Sequence, residues 1–117
     1  MAAFRATGDA LHLARARTIA RSMCVRQAGL VDAATGLGAL VYEHYAEDWA
    51  APDLEYNRDK PNDRFKPWGF QPGHLLEWSK LLVQLDALGQ LEADGATPAA
   101  WRVATARRLF EAALKGW

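Results

Sequence analysis

The chain has 117 residues, half of them hydrophobic, which suits one small domain or part of a larger one and excludes a disordered tail. Its 14 basic and 14 acidic residues give a formal net charge of +0, which argues against a nucleic-acid binder and against a polybasic membrane-surface module. No apolar run reaches the roughly 18 residues of a membrane span, and the N-terminus does not resemble a signal peptide, so a cytoplasmic protein is expected.

The chain begins with two predicted helical pieces. Residues 1–7 are expected to be the tail of a helix that Gly8 closes. A longer helix is predicted over residues 9–27, because Asp9 can cap its start and Gly29 lies just past its end. Apolar side chains recur along it at helical spacing, at Leu13, Ala16, Ala20 and Met23.

Residues 28–71 are rich in Gly, Pro, Asn and Asp and predict a long loop. Only the stretch from Leu40 to Tyr45 has the β-branched and aromatic residues of an extended piece. A loop this long is uncommon in a compact domain and is usually functional. We therefore expect the segment to cover a site or to pack on parts of a fold beyond this chain.

Two more helices are predicted after this loop. The first covers residues 72–88, because Pro72 suits the first helical position, where its missing N–H costs nothing. The second covers residues 98–115 and begins with a Thr cap, Thr97, followed by Pro98. Its predicted buried stripe is Val103, Ala106, Phe110, Ala113 and Trp117.

His74 and Glu77 are the first candidates for chemistry, since residues three apart at a helix start project from one face. The helix N-terminus favours a neutral imidazole, the form that a general base needs. Glu77 can hydrogen-bond the ring or a ligand hydroxyl, and Arg64 can hold a ligand oxygen with its guanidinium fork. Trp68 and Trp78 flank this segment and can face sugar C–H groups. Taken singly, a His–Glu spacing is more often a surface pair and a Trp is more often a core residue.

Other chemical signals are weak. The three histidines lie far apart without paired ligand spacing, so no metal is expected. Residues 36–38, Gly-Leu-Gly, lack the third glycine and the acidic residue of a dinucleotide site, so no cofactor is expected. Cys24 is the only cysteine, which excludes an intrachain disulfide, and it resembles a small buried hydrophobe more than a nucleophile.

A series of short phrases runs through the loop and the second long helix in a fixed order. The phrases are Val41-Tyr42-Glu43-His44-Tyr45, Asp48-Trp49, Tyr56-Asn57-Arg58-Asp59, Arg64-Phe65-Lys66-Pro67-Trp68-Gly69, Gln71-Pro72-Gly73-His74 and Glu77-Trp78. Together with its flanks, the series resembles the N-acylglucosamine 2-epimerase family, and most closely the bacterial branch that includes D-mannose isomerases. The resemblance covers essentially the whole chain.

This resemblance implies an all-α (α/α)6 barrel, of which the chain would supply about three helices and the aromatic loop, as a central-to-C-terminal fragment of the closed two-layer core. It also implies metal-independent proton transfer at C1 and C2 of an aldose, with two histidines as acid and base. His74 matches one histidine, Glu77 and Arg64 match substrate contacts, and Glu43 matches only weakly. The other histidine of the family comes beyond Trp117, so we expect a fragment without isomerase activity of its own.

Alternatives stay open at this point. A non-catalytic helical domain could bind a protein partner through the loop and its Trp residues. A glycoside hydrolase of the six-hairpin barrel class would need two carboxylates across a sugar, for which Glu43 and Glu77 are candidates. The sugar is also open among N-acetylglucosamine, N-acetylmannosamine, mannose and related aldoses. A partial barrel would expose apolar helix faces, so self-association through them is expected.

Overall fold

The protein, in a computed structural model, is described for residues 1–89 and 100–116. In these ranges the regular structure is helical: α1 (Ala2–Thr7), α2 (Ala10–Arg21), a π-helical segment (Ser22–Gln27), α3 (Ala28–Thr35), α4 (Pro72–Gly89) and α5 (Trp101–Lys115). The only β pairing in this part of the chain is an isolated antiparallel bridge between Tyr45 and Pro52. The fold class is therefore all-α, as the sequence predicts.

Local capping signals define the first two helices. Gly8 ends α1 with a left-handed φ of 72°, a conformation that glycine adopts at little cost. Asp9 caps α2, and its carboxylate accepts the Leu11 N–H at 2.8 Å. Both predictions for this region are confirmed, because each depends only on residues next to the helix end.

The second helical stretch was predicted to end near Gly29, but in the structure it continues past that residue. The π-helical segment leads directly into α3, which continues to Thr35 and ends at Gly36 with a φ of 67°. A glycine inside a helix costs only about 1 kcal/mol relative to alanine, and Val31, fully buried two residues later, offsets that cost. The long loop therefore covers residues 36–71 and not residues 28–71.

A single apolar core joins α2, α4 and α5. Helix α4 packs along α5 and also contacts α2. Its buried leucines lie on one face, at Leu75, Leu82, Leu85 and Leu88. Each fully buried leucine contributes about 1.5–3 kcal/mol relative to an exposed one, so this face of α4 holds the helices together.

Helix α5 buries a different stripe from the one predicted. Ala106 and Ala113 are buried as expected, but Val103 is 53% exposed and Phe110 is 47% exposed. The helix instead packs through Arg102, Thr105, Ala106, Leu109 and Ala113. This difference arises because α5 has apolar residues on two sides, and only one of them meets α4. The predicted start, Thr97 and Pro98, and the stripe residue Trp117 lie outside the described residues.

An ion pair also links α4 and α5. The Arg102 Nε donates to Asp86 Oδ1 at 3.1 Å, and both side chains are largely buried. The guanidinium lies against Gly89, where a Cβ would come within 3.0 Å of an Arg102 nitrogen. The cost of removing two charges from water offsets much of their attraction, so the apolar face of α4 remains the main source of stability between the helices.

The loop of residues 36–71 is held mainly by directional hydrogen bonds. Leu40, Val41 and Tyr42 anchor its start in the core. Side chains then bond to distant carbonyls: Gln27 Nε2 to Trp49 at 2.7 Å, Trp68 Nε1 to Leu54 at 2.8 Å, Asn57 Nδ2 to Lys66 at 2.8 Å and His44 Nε2 to Pro67 at 2.9 Å. Across residues 1–89 and 100–116, none of the helices combines the length and apolarity needed to cross a membrane.

Candidate functional site

The start of α4 presents His74 on the side of the helix that faces the loop. Pro72 opens the helix as predicted, and the Leu75 N–H donates to the Gln71 carbonyl at 3.1 Å. Leu75 is completely buried in the core, whereas its neighbour His74 is exposed. Because these two neighbours point in different directions, the imidazole of His74 lies at the surface of the helix pair and not in its core.

A carboxylate from the loop meets this imidazole. His74 Nδ1 lies 2.8 Å from Glu43 Oε1 and 2.9 Å from Glu43 Oε2. The side chain of Glu43 is only 16% exposed, whereas that of His74 is 55% exposed. One edge of the ring is therefore bound to a shielded carboxylate, and the rest of the ring remains open to a ligand.

Two open cavities share this pair of side chains. The first, of about 680 Å³, is lined by Glu43, His74, Arg64 and Phe65 among others. The second, of about 370 Å³, is lined by the same pair together with Glu77 and residues of the aromatic cluster described below. Both volumes fall in the range of ligand sites in proteins. A small ligand in either cavity would have His74 on its boundary.

The structure brings most of the predicted site residues to these two cavities. Arg64 reaches the first cavity, and Glu77 and Trp78 reach the second. Trp68 does not line either one; it borders a separate cavity of about 280 Å³ and bonds to the Leu54 carbonyl. Its contact with substrate stays a prediction, while its role in holding the loop is a feature of the fold.

Glu43 is the residue that sequence reasoning nearly missed. The sequence offered Glu77 as a partner for the ring, but the bond to Nδ1 comes from Glu43, which lies 31 residues before His74. No spacing rule connects residues that far apart. The available signal was an acidic side chain inside the apolar run from Leu40 to Tyr45, where a carboxylate needs a specific partner.

An aromatic cluster lines the second cavity. The rings of Tyr45 and Trp49 stack with centroids 5.1 Å apart. Trp49 has a positive φ of 59°, and its carbonyl accepts hydrogen bonds from the side chains of Arg26 and Gln27. Burial raises the pKa of Tyr45 to about 12, so the phenol stays protonated at neutral pH. The cluster provides apolar faces beside the polar His74 edge.

Cys24 takes no part in the site. The side chain is buried, and burial raises the pKa of its thiol to about 12 despite the opposing charge of Arg108. A thiol protonated at neutral pH is a poor nucleophile. Within the part of the chain that the structure describes, no group of three or more His, Cys, Asp or Glu side chains is placed to hold a metal ion.

Fold and site together define an all-α chain that presents a histidine–carboxylate pair beside two open cavities of ligand size. The family model of N-acylglucosamine 2-epimerase (GlcNAc 2-epimerase) matches residues 1–117, and the chain belongs to this family. This confirms the family identified from the order of short phrases in the loop and α4.

Two relatives of this chain are D-mannose isomerases. The protein from Marinomonas mediterranea is 40% identical over 115 residues, which cover 98% of this chain and 26% of that protein. The protein from Pseudomonas cannabina pv. alisalensis is 37% identical, covering 95% of this chain and 25% of that protein. These names give no support to the interaction-domain or glycoside-hydrolase alternatives.

A solved structure supports the same assignment of fold. A crystal structure of D-mannose isomerase is similar with a TM-score of 0.79 and 40% identity, over 97% of this chain and 25% of that chain. The chain is therefore a partial (α/α)6 barrel, and it spans about a quarter of the length of the relatives it matches.

Proposed function

We propose that this chain is the part of a carbohydrate isomerase or epimerase that supplies one of two acid–base histidines, and that His74 is this base. The observation that carries the proposal is the position of His74 on the boundary of both cavities. Family membership over the whole chain supports the reaction class, and the names of the relatives support an aldose as the substrate.

The proposed chemistry is a proton transfer. His74 removes the proton from C2 of the open-chain aldose, the C–H electron pair becomes part of an enediol double bond, and the carbonyl oxygen at C1 gains a proton. Return of a proton to C1, with loss of the proton on O2, gives the ketose. Return of a proton to the opposite face of C2, with loss of the proton on O1, gives the epimer. The second acid–base group comes from outside residues 1–117.

The other predicted site residues have supporting roles in this proposal. Arg64 faces the same cavity as His74 and can hold a sugar oxygen with its guanidinium fork. Glu77 can accept a hydrogen bond from a sugar hydroxyl in the second cavity, where Trp78 offers a ring face to sugar C–H groups. Trp68 would act indirectly, by holding the loop that carries Arg64.

A chimera tests this proposal. Residues 1–117 would replace the matching quarter of the Marinomonas mediterranea D-mannose isomerase, and deuterium exchange at C2 of mannose would be measured in heavy water. We expect His74→Ala to lower exchange by about 10²- to 10⁴-fold, the usual contribution of a general base, while mannose still binds. His12→Ala on α2 is the matched control and should leave exchange unchanged. Equal exchange in the His74→Ala chimera and its parent would refute the base assignment.

The isolated 117-residue chain is expected to be inactive, because it would present one acid–base histidine of the two. Conversion of mannose to fructose by this chain alone would contradict that expectation. We also propose a monosaccharide as the ligand and the cytoplasm as the location. The balanced charge supports neither nucleic acid nor a membrane surface as a partner, and a free buried thiol at Cys24 suits a reducing compartment.

A further inference from the structure

We infer that Glu43 is a positioning residue for His74, which keeps the ring proton on Nδ1 and leaves Nε2 as the basic nitrogen. The effect on the ring follows from geometry alone. Its consequence for catalysis rests on the proposed function.

The contact between the two side chains determines the tautomer. An ionised carboxylate can only accept hydrogen bonds, so the ring nitrogen that meets it must carry the proton. Both oxygens of Glu43 lie within 2.9 Å of Nδ1. In a neutral ring the lone pair then belongs to Nε2, on the far side from the carboxylate. A histidine free in water prefers the opposite tautomer, so the protein would reverse the intrinsic preference.

Glu43 is held more firmly than a surface partner would be. Its neighbours Val41 and Tyr42 are buried, and its own N–H donates to the Gly69 carbonyl at 2.9 Å. The next residue, His44, bonds through its ring to the Pro67 carbonyl. The stretch of loop that carries the carboxylate is thus anchored at Glu43 and at His44, unlike exposed ion pairs, whose flexible ends contribute about 0–1 kcal/mol.

Glu77 cannot replace Glu43 in this role. It lies on the same helix as His74 and is exposed, so a bond from it would constrain the ring only relative to α4. Glu43 comes from the loop, and its bond fixes the ring relative to the cavity that the loop and α4 enclose. The loop therefore sets the direction of Nε2, while the helix sets the position of the ring.

Nitrogen-15 NMR of the histidine rings tests this inference without any enzyme assay. Spectra of the 117-residue chain would be recorded above the titration range of imidazole, with the His74 signals assigned from His74→Ala. We expect a protonated Nδ1 and an unprotonated Nε2 in the wild type. Glu43→Gln, which keeps the size but can both donate and accept, should shift the population toward the Nε2–H form. Glu47→Gln, an exposed loop residue that loses the same charge, should cause no shift.

A predominantly Nε2–H tautomer of His74 in the wild type would overturn the inference, whatever the variants show. An unchanged tautomer in Glu43→Gln would also overturn it, provided that the variant keeps the wild-type circular dichroism. If Glu43→Gln does not fold, Glu43→Asp, which retains the charge on a shorter side chain, takes its place. Its fraction of the Nδ1–H tautomer of His74 should lie between that of the wild type and that of a histidine free in water.

Steady-state kinetics of the chimera show whether Glu43 positions the His74 ring or only supports the fold. Glu43→Gln should lower kcat by about 10- to 100-fold with little change in KM, the range found when carboxylates that orient histidines at metal sites are removed. A rise in KM with unchanged kcat would contradict the positioning role. An inactive parent chimera would count against the proposed function, while the tautomer spectra would still decide the role of Glu43.

Discussion

The α4–α5 pair and the loop of residues 36–71 are stabilised in different ways. The helices meet through a continuous apolar face, in which Leu75, Leu82 and Leu109 are almost wholly buried. The loop has few buried side chains after Tyr42 and depends on hydrogen bonds between side chains and distant carbonyls. Apolar burial tolerates small shifts, whereas hydrogen bonds require particular directions.

The candidate site lies where these two regions meet. His74 belongs to the apolar-packed region, and its partner Glu43 belongs to the hydrogen-bonded one. This division suggests that stability and site geometry can be changed separately. Substitutions in the helix core should alter global stability first, and substitutions in the loop should alter the site first.

The largest effect is expected from Leu109→Ala in the helix core. Leu109 is fully buried between the helices, so its truncation should lower the free energy of unfolding by about 2–5 kcal/mol. Urea unfolding followed by circular dichroism measures this loss. Leu114→Ala, at an exposed position on the same helix, should cost far less. Similar losses for the two variants would mean that α5 does not pack on α4 in solution.

A second test concerns the exposed side of α5. Val103, Phe110 and Leu114 form an apolar stripe, through which we expect the chain to self-associate. Phe110→Lys should weaken association by tenfold or more, since burying a Phe contributes about 1.5–3 kcal/mol. Analytical ultracentrifugation over a range of concentrations measures it. Ala104→Lys, which by helical spacing lies on the exposed polar face with Arg108, Glu111 and Lys115, adds the same charge and should have little effect.

In the loop, Trp68→Phe should have a smaller effect. The change removes the indole N–H that bonds to the Leu54 carbonyl, at a cost of about 0.5–1.5 kcal/mol. Hydrogen exchange should therefore become faster in residues 53–68, with helix protection unchanged. Phe65→Leu, at a highly exposed loop position, is the control. Weaker mannose binding by a Trp68→Phe chimera with normal loop protection would favour the direct substrate contact predicted from sequence.

The smallest effect is a local pH dependence at Asp63. Hydrogen bonds from the Phe65 and Lys66 N–H groups lower the pKa of this carboxyl. Because the folded pKa is depressed, the stabilisation is complete above the unfolded value of about 3.9 and is lost as pH falls through the folded pKa. The amide signals of Phe65 and Lys66 should shift together in this acid range. If the two amide signals shift in the same way with pH in Asp63→Asn, the group that titrates is not Asp63.

Helix starts could be predicted from the sequence because their signals are local. Asp9 and Pro72 each act within one helical turn, and the structure places both as expected. The predicted helix end near Gly29 was wrong, since a glycine marks a helix end only when the residues after it do not supply buried apolar side chains. Val31 supplies one.

The site could be predicted only in part. His74, Arg64 and Glu77 were indicated by the phrases in which they occur, and the structure places them at the shared cavities. The bond between Glu43 and His74 was not predictable, because it depends on how a hydrogen-bonded loop returns to a helix start. The exposure of Phe110 was missed because a pattern of apolar spacing does not show which of two apolar sides meets a neighbour.

The π-helical segment Ser22–Gln27 has a consequence for changes in chain length. Its i→i+5 bonds enclose one more residue than those of an α-helix. Deleting one residue there should let α2 run into α3 as an ordinary α-helix, with the flanking residues turned little, because the wider turns already absorb the extra residue. The Gln27 side chain would then still reach the Trp49 carbonyl that it now holds. A single-residue deletion should thus be tolerated in this segment, whereas a deletion within α2 itself would turn the residues that follow it by about 100°.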